Sequence, residues 1–400
     1  MSKNNEKTSV FANGLIWFGA AASIAEIMTG TLFAPLGFAK GIAAIIIGHV
    51  IGCALMYGAG LIGGKTGKNA MQTVQMSFGS RGALIFAILN VMQLVGWTAV
   101  MIFSGAQATA AIANPGLGIN GIGLWCVVIG VLIIVWIIIG IKNLSKLNVV
   151  AMSLLFIITV ILSSIVFRGG GQGAPVGGAL TFGAAVELSV AMPLSWLPLI
   201  SDYTKDAAKP KAATFASVAV YFAASCWMYI IGLGATLFFG ESDLATIIIQ
   251  AGIGVAGIII VIISTVTTTF LDAHSAGVST TVIQKKSNEK LVAVIVTIVG
   301  VLLAAFSPIT RYESFLYLIS SVFAPMVAIL ITDFFILKQN AEDRAFNLTN
   351  IILWVIGFII YRLFMNVDTV IGSTVPVMII IGLISVLVKK GKALICFKKS

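Results

Sequence analysis

The stretch Phe18–Gly37, FGAAASIAEIMTGTLFAPLG, decides the fold class. It belongs to the first apolar segment of the chain, yet it contains the carboxylate Glu26, followed by Gly30 and Pro35. A charged residue at the middle of a bilayer costs roughly 3 kcal/mol and usually faces a cavity or pathway. Glycine and proline weaken a helix, and the carbonyls that are freed must bond to something other than lipid. An interrupted helix with an acid at its break is typical of a binding site at the midplane of a transporter.

The composition places the whole chain in the membrane. Of its 400 residues, 59% are hydrophobic and 10% are charged, and the mean hydropathy is +1.09. A soluble domain of this length does not need so much apolar surface, so we expect a polytopic membrane protein. The net charge of +10 does not indicate nucleic-acid binding, because the lysines and arginines lie between the apolar segments. No nucleotide-binding loop, nucleophile elbow or zinc-ligand spacing occurs, so we expect neither an enzyme nor an ATP-driven pump, and no enzymatic cofactor.

Twelve apolar segments are long enough to cross a hydrocarbon core of roughly 30 Å. They lie at residues 12–38, 41–63, 82–112, 120–142, 147–167, 178–200, 213–239, 252–278, 291–307, 314–337, 349–366 and 369–388. With the N-terminus inside, all of the 24 Lys and Arg residues except Lys40, Arg168, Arg311 and Arg362 fall on the cytoplasmic side. The positive-inside rule therefore predicts a multi-pass protein of the cell membrane with both termini in the cytoplasm.

The sixth segment resembles the first in being interrupted. It reads ALTFGAAVELSVAMPLSWLPLISDYTK over residues 179–205, with Pro193 and Pro198 near its middle. Proline removes an amide donor and clashes with the preceding turn, so this helix should also be broken. Interrupted helices that open each of two five-span halves are typical of an inverted-repeat transporter. The predicted organisation is a cytoplasmic N-terminus (1–11), a transport core (12–337), two additional spans (338–388) and a basic cytoplasmic tail (389–400).

Polar residues recur at helical spacing in two further segments. The third segment has Asn90, Gln93, Trp97, Ser104 and Gln107, and the eighth has Ser264, Thr267, Thr268, Asp272, Ser275 and Ser279. Steps of three or four place most of these side chains on one face of each helix. Hydrogen bonding between helices explains a single serine or threonine in a membrane. Several hydroxyls together with an acid favour a path for a cation or a substrate.

The same residues suggest what such a site would bind. The hydroxyls of Thr267 and Thr268, with carbonyls freed in Gly19–Ser23, provide the oxygen ligands of a Na⁺ site. The indole of Trp97 offers a flat face to an aromatic ligand, although it could also serve packing alone. Asp272 has a structural alternative as a hydrogen-bond acceptor between helices. Protons are an alternative coupling ion, with Glu26, Asp272 and His274 as their carriers.

Several stretches resemble the nucleobase–cation symporter-1 family, and within it the CytX-type hydroxymethylpyrimidine permeases. They are VQMSFGSRGA (74–83), QLVGWTAVM (93–101), ISDYTK (200–205), TVTTTFLDAHSAG (265–277) and YESFLYLISSVFAPMVAILITDFFILKQ (312–339). The resemblance implies an all-α fold of the LeuT type, a five-plus-five inverted repeat with two additional C-terminal helices. It also implies a secondary active symporter that takes up a small heteroaromatic pyrimidine with Na⁺ or H⁺.

Matching position by position, the resemblance assigns the site residues. The expected cation ligands are Gly19, Ala22, Ser264, Thr267 and Thr268. The resemblance places the stacking indole at Trp97 and substrate contacts at Ser23, Ser195 and Thr269. The polar and aromatic side chains of the same segments complete the expected substrate-binding set with Glu26, Gln93, Trp196 and Asp272. Two positions depart from the family pattern, because Thr269 stands where an asparagine is usual and Trp196 is displaced by about one turn from the usual aromatic residue. Glu26 is not part of that pattern, so we assign it to the amine of the substrate.

Two alternatives remain open from the sequence. A cytosine or purine permease would use the same architecture for another base. A membrane receptor or channel would use the same cavity without coupled flux.

Overall fold

The computed structural model describes residues 7–117, 121–140, 145–250, 252, 254–307 and 312–397. Within these ranges the chain forms helices and no β-strand. The helices are α1 (Val10–Ala21), α2 (Ile24–Thr31), α3 (Gly37–Thr66), α4 (Ala70–Phe78), α5 (Gly82–Leu117), α6 (Ile122–Ile139), α7 (Ser145–Val166), α8 (Phe182–Ser195), α9 (Ile200–Thr204), α10 (Pro210–Gly234), α11 (Leu244–Gln250), α12 (Gly254–Ile283), α13 (Glu289–Phe306), α14 (Tyr312–Ile331), α15 (Leu348–Phe364) and α16 (Thr374–Phe397).

These helices reproduce the predicted multi-pass architecture. In the described part of the chain, nine helical stretches are long and apolar enough to cross a membrane, and α1, α8 and α15 are shorter apolar helices. Helices α1 and α2 together form the first predicted segment, and α8 and α9 form the sixth. The ends of the fourth predicted segment (residues 120 and 141–142), Arg311 and residues 1–6 and 398–400 of the termini lie outside the described residues.

Two short helices in the connections were not predicted. Helix α4 begins with a capping box in which Asn69 and Gln72 bond to each other's backbone amides. Its nine residues are too few to cross a bilayer, so a search for long apolar segments passes over it. Helix α11 is shorter still and precedes α12.

The first membrane segment is broken earlier than its glycine and proline suggest. Helix α1 ends at Ala21, Ala22 adopts a non-helical ψ of 60°, and the extended Ser23 caps α2. Glu26 therefore lies in the first turn after the break. Gly30 stays within α2, and Pro35 lies in the 3₁₀ turn Ala34–Leu36. The break thus falls in the run of small residues that precedes the acid.

The sixth segment is broken where its prolines predict. Helix α8 contains Pro193 and ends at Ser195, and α9 does not begin until Ile200. The intervening Trp196–Leu199 leaves the α-helical path, because Pro198 has no amide to continue the hydrogen-bond ladder.

Glycines allow the helices around these breaks to approach closely. A Cβ added to Gly30 of α2 would lie 2.1 Å from the Tyr229 carbonyl oxygen of α10, and one added to Gly232 would lie 2.0 Å from the Ile27 oxygen. Helices α3 and α8 meet in the same way, since a Cβ on Gly52 would lie 2.3 Å from the Pro193 ring. Small residues at such crossings are what membrane helices use to pack against each other.

We expect Gly232→Ala to destabilise the protein by about 1–3 kcal/mol, the usual cost of overpacking a tight site. The added methyl group would meet the backbone of α2, which cannot rotate away. The measurement is thermal unfolding in detergent. Gly123→Ala is the control, because a Cβ added to Gly123 would have no neighbour within 4 Å. Equal stability of the two variants would show that α2 and α10 are not tightly packed.

The last two helices are bonded to the first half of the sixth segment through Glu187 of α8. One carboxylate oxygen accepts hydrogen bonds from the Tyr361 hydroxyl and from Thr374 Oγ1, the latter at 2.6 Å. The other accepts from the backbone amides of Ser373 (2.7 Å) and Thr374 (2.8 Å). Glu187 is buried and receives four donors, so it anchors α15 and the N-terminus of α16 onto α8.

At the opposite end of α15 and α16, Asp333 binds the same two helices. It accepts from the Lys389 ammonium of α16 and from the Asn350 amide of α15, the latter at 2.8 Å. The Asn350 amide also donates to the Ser77 carbonyl oxygen of α4, at 2.7 Å. The C-terminal pair is therefore attached at both of its ends.

Candidate functional site

A cavity of about 310 Å³ lies between the two helix breaks. It is bounded by α2, α5, α8 and α12 and by the unwound residues after α8. Its lining residues are Ser23, Ala25, Glu26, Trp97, Met101, Met192, Ser195, Trp196, Thr268 and Asp272. This location, between two interrupted helices inside the membrane-spanning bundle, is where substrate binds in inverted-repeat transporters.

Most of the side chains that the sequence assigned to substrate line this cavity. They are Ser23, Glu26, Trp97, Ser195, Trp196 and Asp272. Gln93 and Thr269 are not among the lining residues. The Gln93 amide donates to Asn90 Oδ1 at 2.7 Å and to the Ser195 carbonyl oxygen at 3.4 Å, so it supports the end of α8 from behind. Thr269 is fully buried, and its neighbour Thr268 faces the cavity instead.

Glu26 enters the cavity from the first turn of α2. Its Oε1 accepts a hydrogen bond from the Tyr221 hydroxyl at 2.8 Å, and its Oε2 lies 2.8 Å from Ser225 Oγ. Both partners belong to α10, which the glycine contacts hold against α2. The N-terminus of α2 also directs the positive end of its dipole toward this side chain. Two of the four lone-pair positions of the carboxylate remain for a ligand.

Asp272 faces the cavity from α12, and its surroundings differ from those of Glu26. Its side chain is 3% exposed, yet no hydrogen bond to it exists within the part of the chain that the structure describes. Burying a carboxylate without a partner is costly, so such a group is normally matched by a ligand or a proton. Asp272 is thus a cavity-lining acceptor whose hydrogen-bonding positions a ligand or a proton would fill.

Indoles supply the flat surfaces of the cavity. Trp97 of α5 packs edge-on against Phe315, with ring centroids 5.4 Å apart. Trp196 packs edge-on against Trp17, with centroids 5.5 Å apart, and Trp17 in turn contacts Tyr203 and Tyr221. Among the described residues, the buried Trp196 Nε1 has no hydrogen-bond acceptor. Trp196 therefore carries an unused donor, and Asp272 carries an unused acceptor.

The residues assigned to a cation meet beside the first helix break. Thr268 Oγ1 of α12 donates to the Gly19 carbonyl oxygen of α1 at 3.0 Å, and Thr267 Oγ1 donates to the Ser264 oxygen at 3.2 Å. A Cβ on Gly19 would be 3.9 Å from Cβ of Thr267, so both threonines adjoin the end of α1. Ala22, the fifth assigned residue, is the C-cap of α1. A helix C-terminus carries negative partial charge, which favours a cation at this point.

The sequence missed the side chains behind Glu26, which are Tyr221 and Ser225 of α10 and His49 of α3. His49 is isolated in the sequence, and such a residue is ordinarily interpreted as helix packing. Ser217, Tyr221, Ser225 and Tyr229 recur at steps of four residues, a stripe that would have indicated a polar face on the seventh segment.

A family profile described as "Permease for cytosine/purines, uracil, thiamine, allantoin" matches residues 2–389. The chain belongs to this family. Membership confirms the family-level resemblance drawn from the sequence, and it agrees with the expectation of a transporter rather than an enzyme. The hydroxymethylpyrimidine branch stays a prediction.

Individual relatives of this permease are distant. The cytosine permease of Escherichia coli (strain K12) is 23% identical over 355 residues, which cover 87% of this chain and 83% of the relative. The structure is similar to that of Mhp1, a nucleobase-cation-symport-1 family transporter in a closed conformation with bromovinylhydantoin bound, with a TM-score of 0.77 at 20% identity. That match covers 97% of this chain and 94% of Mhp1.

A second structural neighbour extends the similarity in fold. A Na⁺-coupled sialic acid symporter in an outward-open state gives a TM-score of 0.70 at 15% identity, covering 96% of this chain and 88% of the symporter. The permease therefore has the LeuT-like fold that the resemblance implied.

Two further cavities of the permease lie on the side of the bundle that holds Thr8 and the end of α9. A vestibule of about 1270 Å³ is lined partly by charged residues, namely Asp202, Lys205, Asp206, Glu289 and Lys290. A second cavity of about 340 Å³ contains Gly19 and Thr267, and it shares Ile16 and Phe270 with the vestibule. His274 lines the vestibule, stacked on Phe270, so it lies apart from the cavity that holds Asp272.

Proposed function

We propose that this permease is a cation-coupled symporter that imports hydroxymethylpyrimidine, an aminopyrimidine precursor of thiamine. The observation that carries the proposal is the cavity between the helix breaks, where two buried carboxylates, Glu26 and Asp272, accompany the indoles of Trp97 and Trp196. Its lining combines carboxylates, serine hydroxyls and indoles, which suits a polar aromatic ring.

The hydrogen-bonding groups of the cavity favour an aminopyrimidine. The exocyclic amine of such a ring has two N–H donors, and carboxylates are acceptors only. The ring nitrogens are acceptors, which suits the unused Nε1–H of Trp196. The hydroxyls of Ser23 and Ser195 can bond to a hydroxymethyl group, and the indoles can stack on the ring. Gln93 and Thr269, which do not line the cavity, would act indirectly by supporting α8 and α12.

Sodium is the coupling ion that we propose. Its ligands would be the carbonyl oxygens of Gly19, Ala22 and Ser264 and the hydroxyls of Thr267 and Thr268. Hydroxyls and unwound-backbone carbonyls suit a hard cation. The two hydroxyls now donate to carbonyl oxygens, and they would turn their lone pairs to the ion when it binds.

The distribution of lysine and arginine supports an orientation with both termini in the cytoplasm, in the cell membrane. In this orientation the large vestibule opens to the cytoplasm. Residues 12–337 would form the transport core, and the helices of 338–388 would be an addition to it.

Uptake by the purified permease in proteoliposomes tests the proposal. We expect concentrative uptake of hydroxymethylpyrimidine when an inward Na⁺ gradient is imposed, and none without a gradient. Cytosine, uracil, adenine and thiamine serve as competitors. Preferential uptake of cytosine or a purine would favour the alternative permease, uptake driven only by a pH gradient would assign coupling to protons, and flux without concentration would indicate a channel.

A hydroxyl deletion tests the proposed cation site. We expect Thr268→Ala to raise the Na⁺ concentration for half-maximal uptake about tenfold, because loss of one hydrogen-bonding or ligating group typically costs about 1.5 kcal/mol. Thr268→Val keeps the size and removes the oxygen, so it should behave like the alanine variant. Thr297→Ala is the control, since its hydroxyl donates to the Ala293 carbonyl oxygen of the same helix, α13. Normal Na⁺ stimulation in both Thr268 variants would show that the ion binds elsewhere.

A further inference from the structure

A continuous chain of hydrogen bonds leads from Glu26 into the protein, away from the cavity. Glu26 Oε2 lies 2.8 Å from Ser225 Oγ, and Ser225 Oγ lies 2.6 Å from Nε2 of His49. On the other side of the ring, Nδ1 is 3.0 Å from the Ile45 carbonyl oxygen and 2.7 Å from Ser189 Oγ. Glu26, Ser225 and His49 are all at most 1% exposed. The chain connects α2, α10, α3 and α8.

The end of this chain fixes one proton on the imidazole. A carbonyl oxygen only accepts, so the contact with Ile45 requires a hydrogen on Nδ1 of His49. The Ser189 hydroxyl donates to the same carbonyl oxygen at 2.7 Å and can accept from Nδ1. If His49 is neutral, its other nitrogen, Nε2, is therefore an acceptor.

The middle of the chain then couples the charge of Glu26 to that of His49. Ser225 has a single hydroxyl proton but two neighbours, Nε2 and Oε2, at hydrogen-bond distance. With neutral His49, Ser225 must donate to Nε2, so the bond between Ser225 and Glu26 needs a proton on Glu26. With ionised Glu26, Ser225 must donate to Oε2, so the bond to His49 needs a proton on Nε2. An ionised Glu26 beside a neutral His49 would leave one of these buried contacts without a hydrogen, which is unfavourable in a site without water.

We propose that Glu26, Ser225 and His49 form a relay that holds one shared proton and transfers it to His49 when an aminopyrimidine engages Glu26. In the transfer, the O–H bond of Glu26 breaks and an O–H bond forms on Ser225, while the original Ser225 O–H bond breaks and an N–H bond forms on Nε2. No proton enters or leaves the protein. The second part, transfer on ligand binding, rests on the proposed function.

The ligand supplies the driving force. A carboxylate accepts more strongly than a neutral acid, because hydrogen bonds to a charged group are roughly twice as strong as those between neutral groups. An amine that donates to Glu26 therefore favours its ionised form, and the relay retains the displaced proton as an imidazolium. Ser225 and His49 are positioning residues in this scheme, since neither lines the cavity.

Other titratable groups surround the relay without replacing it. Tyr221 and Tyr229 of α10 and the thiols of Cys53 and Cys226 lie near Glu26 or His49. Tyrosine and cysteine ordinarily keep their protons at neutral pH, with reference pKa values of about 10 and 8.5. Asp272 shares the cavity with Glu26 and is the group that could compete for the proton.

Nitrogen NMR of the labelled histidines tests the transfer. The chain has two histidines, so His274→Gln identifies the His49 signals. We expect a neutral ring with the proton on Nδ1 in the ligand-free permease, and an imidazolium at saturating hydroxymethylpyrimidine. Ser225→Ala interrupts the relay and should leave His49 neutral with ligand bound. A neutral His49 in the liganded parent protein would overturn the transfer.

Measurements on the ligand-free protein test whether Glu26 and His49 share one proton, independently of which substrate the protein binds. Infrared difference spectra of the parent and Glu26→Gln report whether Glu26 is an acid or a carboxylate. The relay requires either an acid with neutral His49 or a carboxylate with imidazolium. A carboxylate beside a neutral His49 would overturn the relay, whatever the substrate proves to be. If no pyrimidine binds at all, the proposed function fails while this result still stands.

The number of protons released when the ligand binds is a measurement that a purely structural role of His49 would not change. Calorimetry in buffers of different ionisation heat should show no net proton release when hydroxymethylpyrimidine binds to the parent permease. In His49→Gln the proton of Glu26 must leave for solvent, so we expect release of one proton and an affinity that falls about tenfold for each pH unit of acidification. Equal proton release in the parent and the variant would contradict the relay.

Discussion

Glu26→Gln is expected to weaken binding of hydroxymethylpyrimidine by about 10- to 100-fold, the equivalent of about 1.5–3 kcal/mol for a hydrogen bond to a charged group. Glutamine keeps the shape of the side chain but has one acceptor oxygen and an amide that only donates. An amide that faces Ser225 can donate to its hydroxyl as protonated Glu26 does, but glutamine cannot ionise, so the amine of the ligand loses the stronger hydrogen bond to a carboxylate. Radioligand binding to the purified permease measures the effect.

The same variant separates substrate binding from ion coupling. We expect the loss of pyrimidine affinity to exceed any change in Na⁺ response, because the proposed ion ligands lie on α1 and α12 and not around Glu26. Glu313→Gln is the matched control, since Glu313 is exposed at the start of α14. Unchanged affinity with a lost ion response would make Glu26 the coupling group and would contradict its assignment to the substrate.

Trp97→Ala is expected to weaken binding by one to two orders of magnitude. Stacking of a base on an aromatic side chain is worth about 1–3 kcal/mol, and Trp97 is the cavity-lining indole on α5. Its edge contact with Phe315 holds the ring in place, so the stacking surface is formed before the ligand arrives.

Trp97→Phe keeps a smaller aromatic face and should recover part of the lost affinity. Thermal unfolding of both variants shows whether the fold is maintained, because a buried tryptophan also contributes to packing. If the alanine variant binds the pyrimidine as tightly as the parent permease, Trp97 serves packing alone.

The architecture was predictable because it depends on features that can be identified in the sequence itself. Segment lengths, charged connections and the prolines of the sixth segment predicted a multi-pass bundle with two interrupted helices. The position of the first break was not predictable in the same way. Ala20–Ala22 are good helix formers, so local preference does not end α1 at Ala21. The break is favoured instead by a tertiary contact, the hydrogen bond from Thr268 to Gly19, together with the local capping of α2 by Ser23.

The candidate site was predictable where polar residues stand out against an apolar background. Glu26, Asp272 and Trp97 were recognisable in this way, and each lines the cavity. Gln93 belongs to the same stripe as Trp97, but a one-turn difference in height places it behind α8. The environment of His49 was not predictable, because Ser189 and Ser225 are 140 and 176 positions away in the sequence. Only the packing of α3 against α8 and α10 brings them together.

The four donors that surround Glu187 have a consequence for the biosynthesis of the protein. Thr374, which supplies two of them, follows Glu187 by 187 residues. At a synthesis rate of about 5–20 residues per second, these donors emerge roughly 10–40 s after Glu187 itself. During that interval the acid resides in a nascent membrane segment without the partners that later surround it. Helix α8, the first half of the sixth segment, therefore reaches its final bonding only after the N-terminus of α16 has been synthesised and inserted.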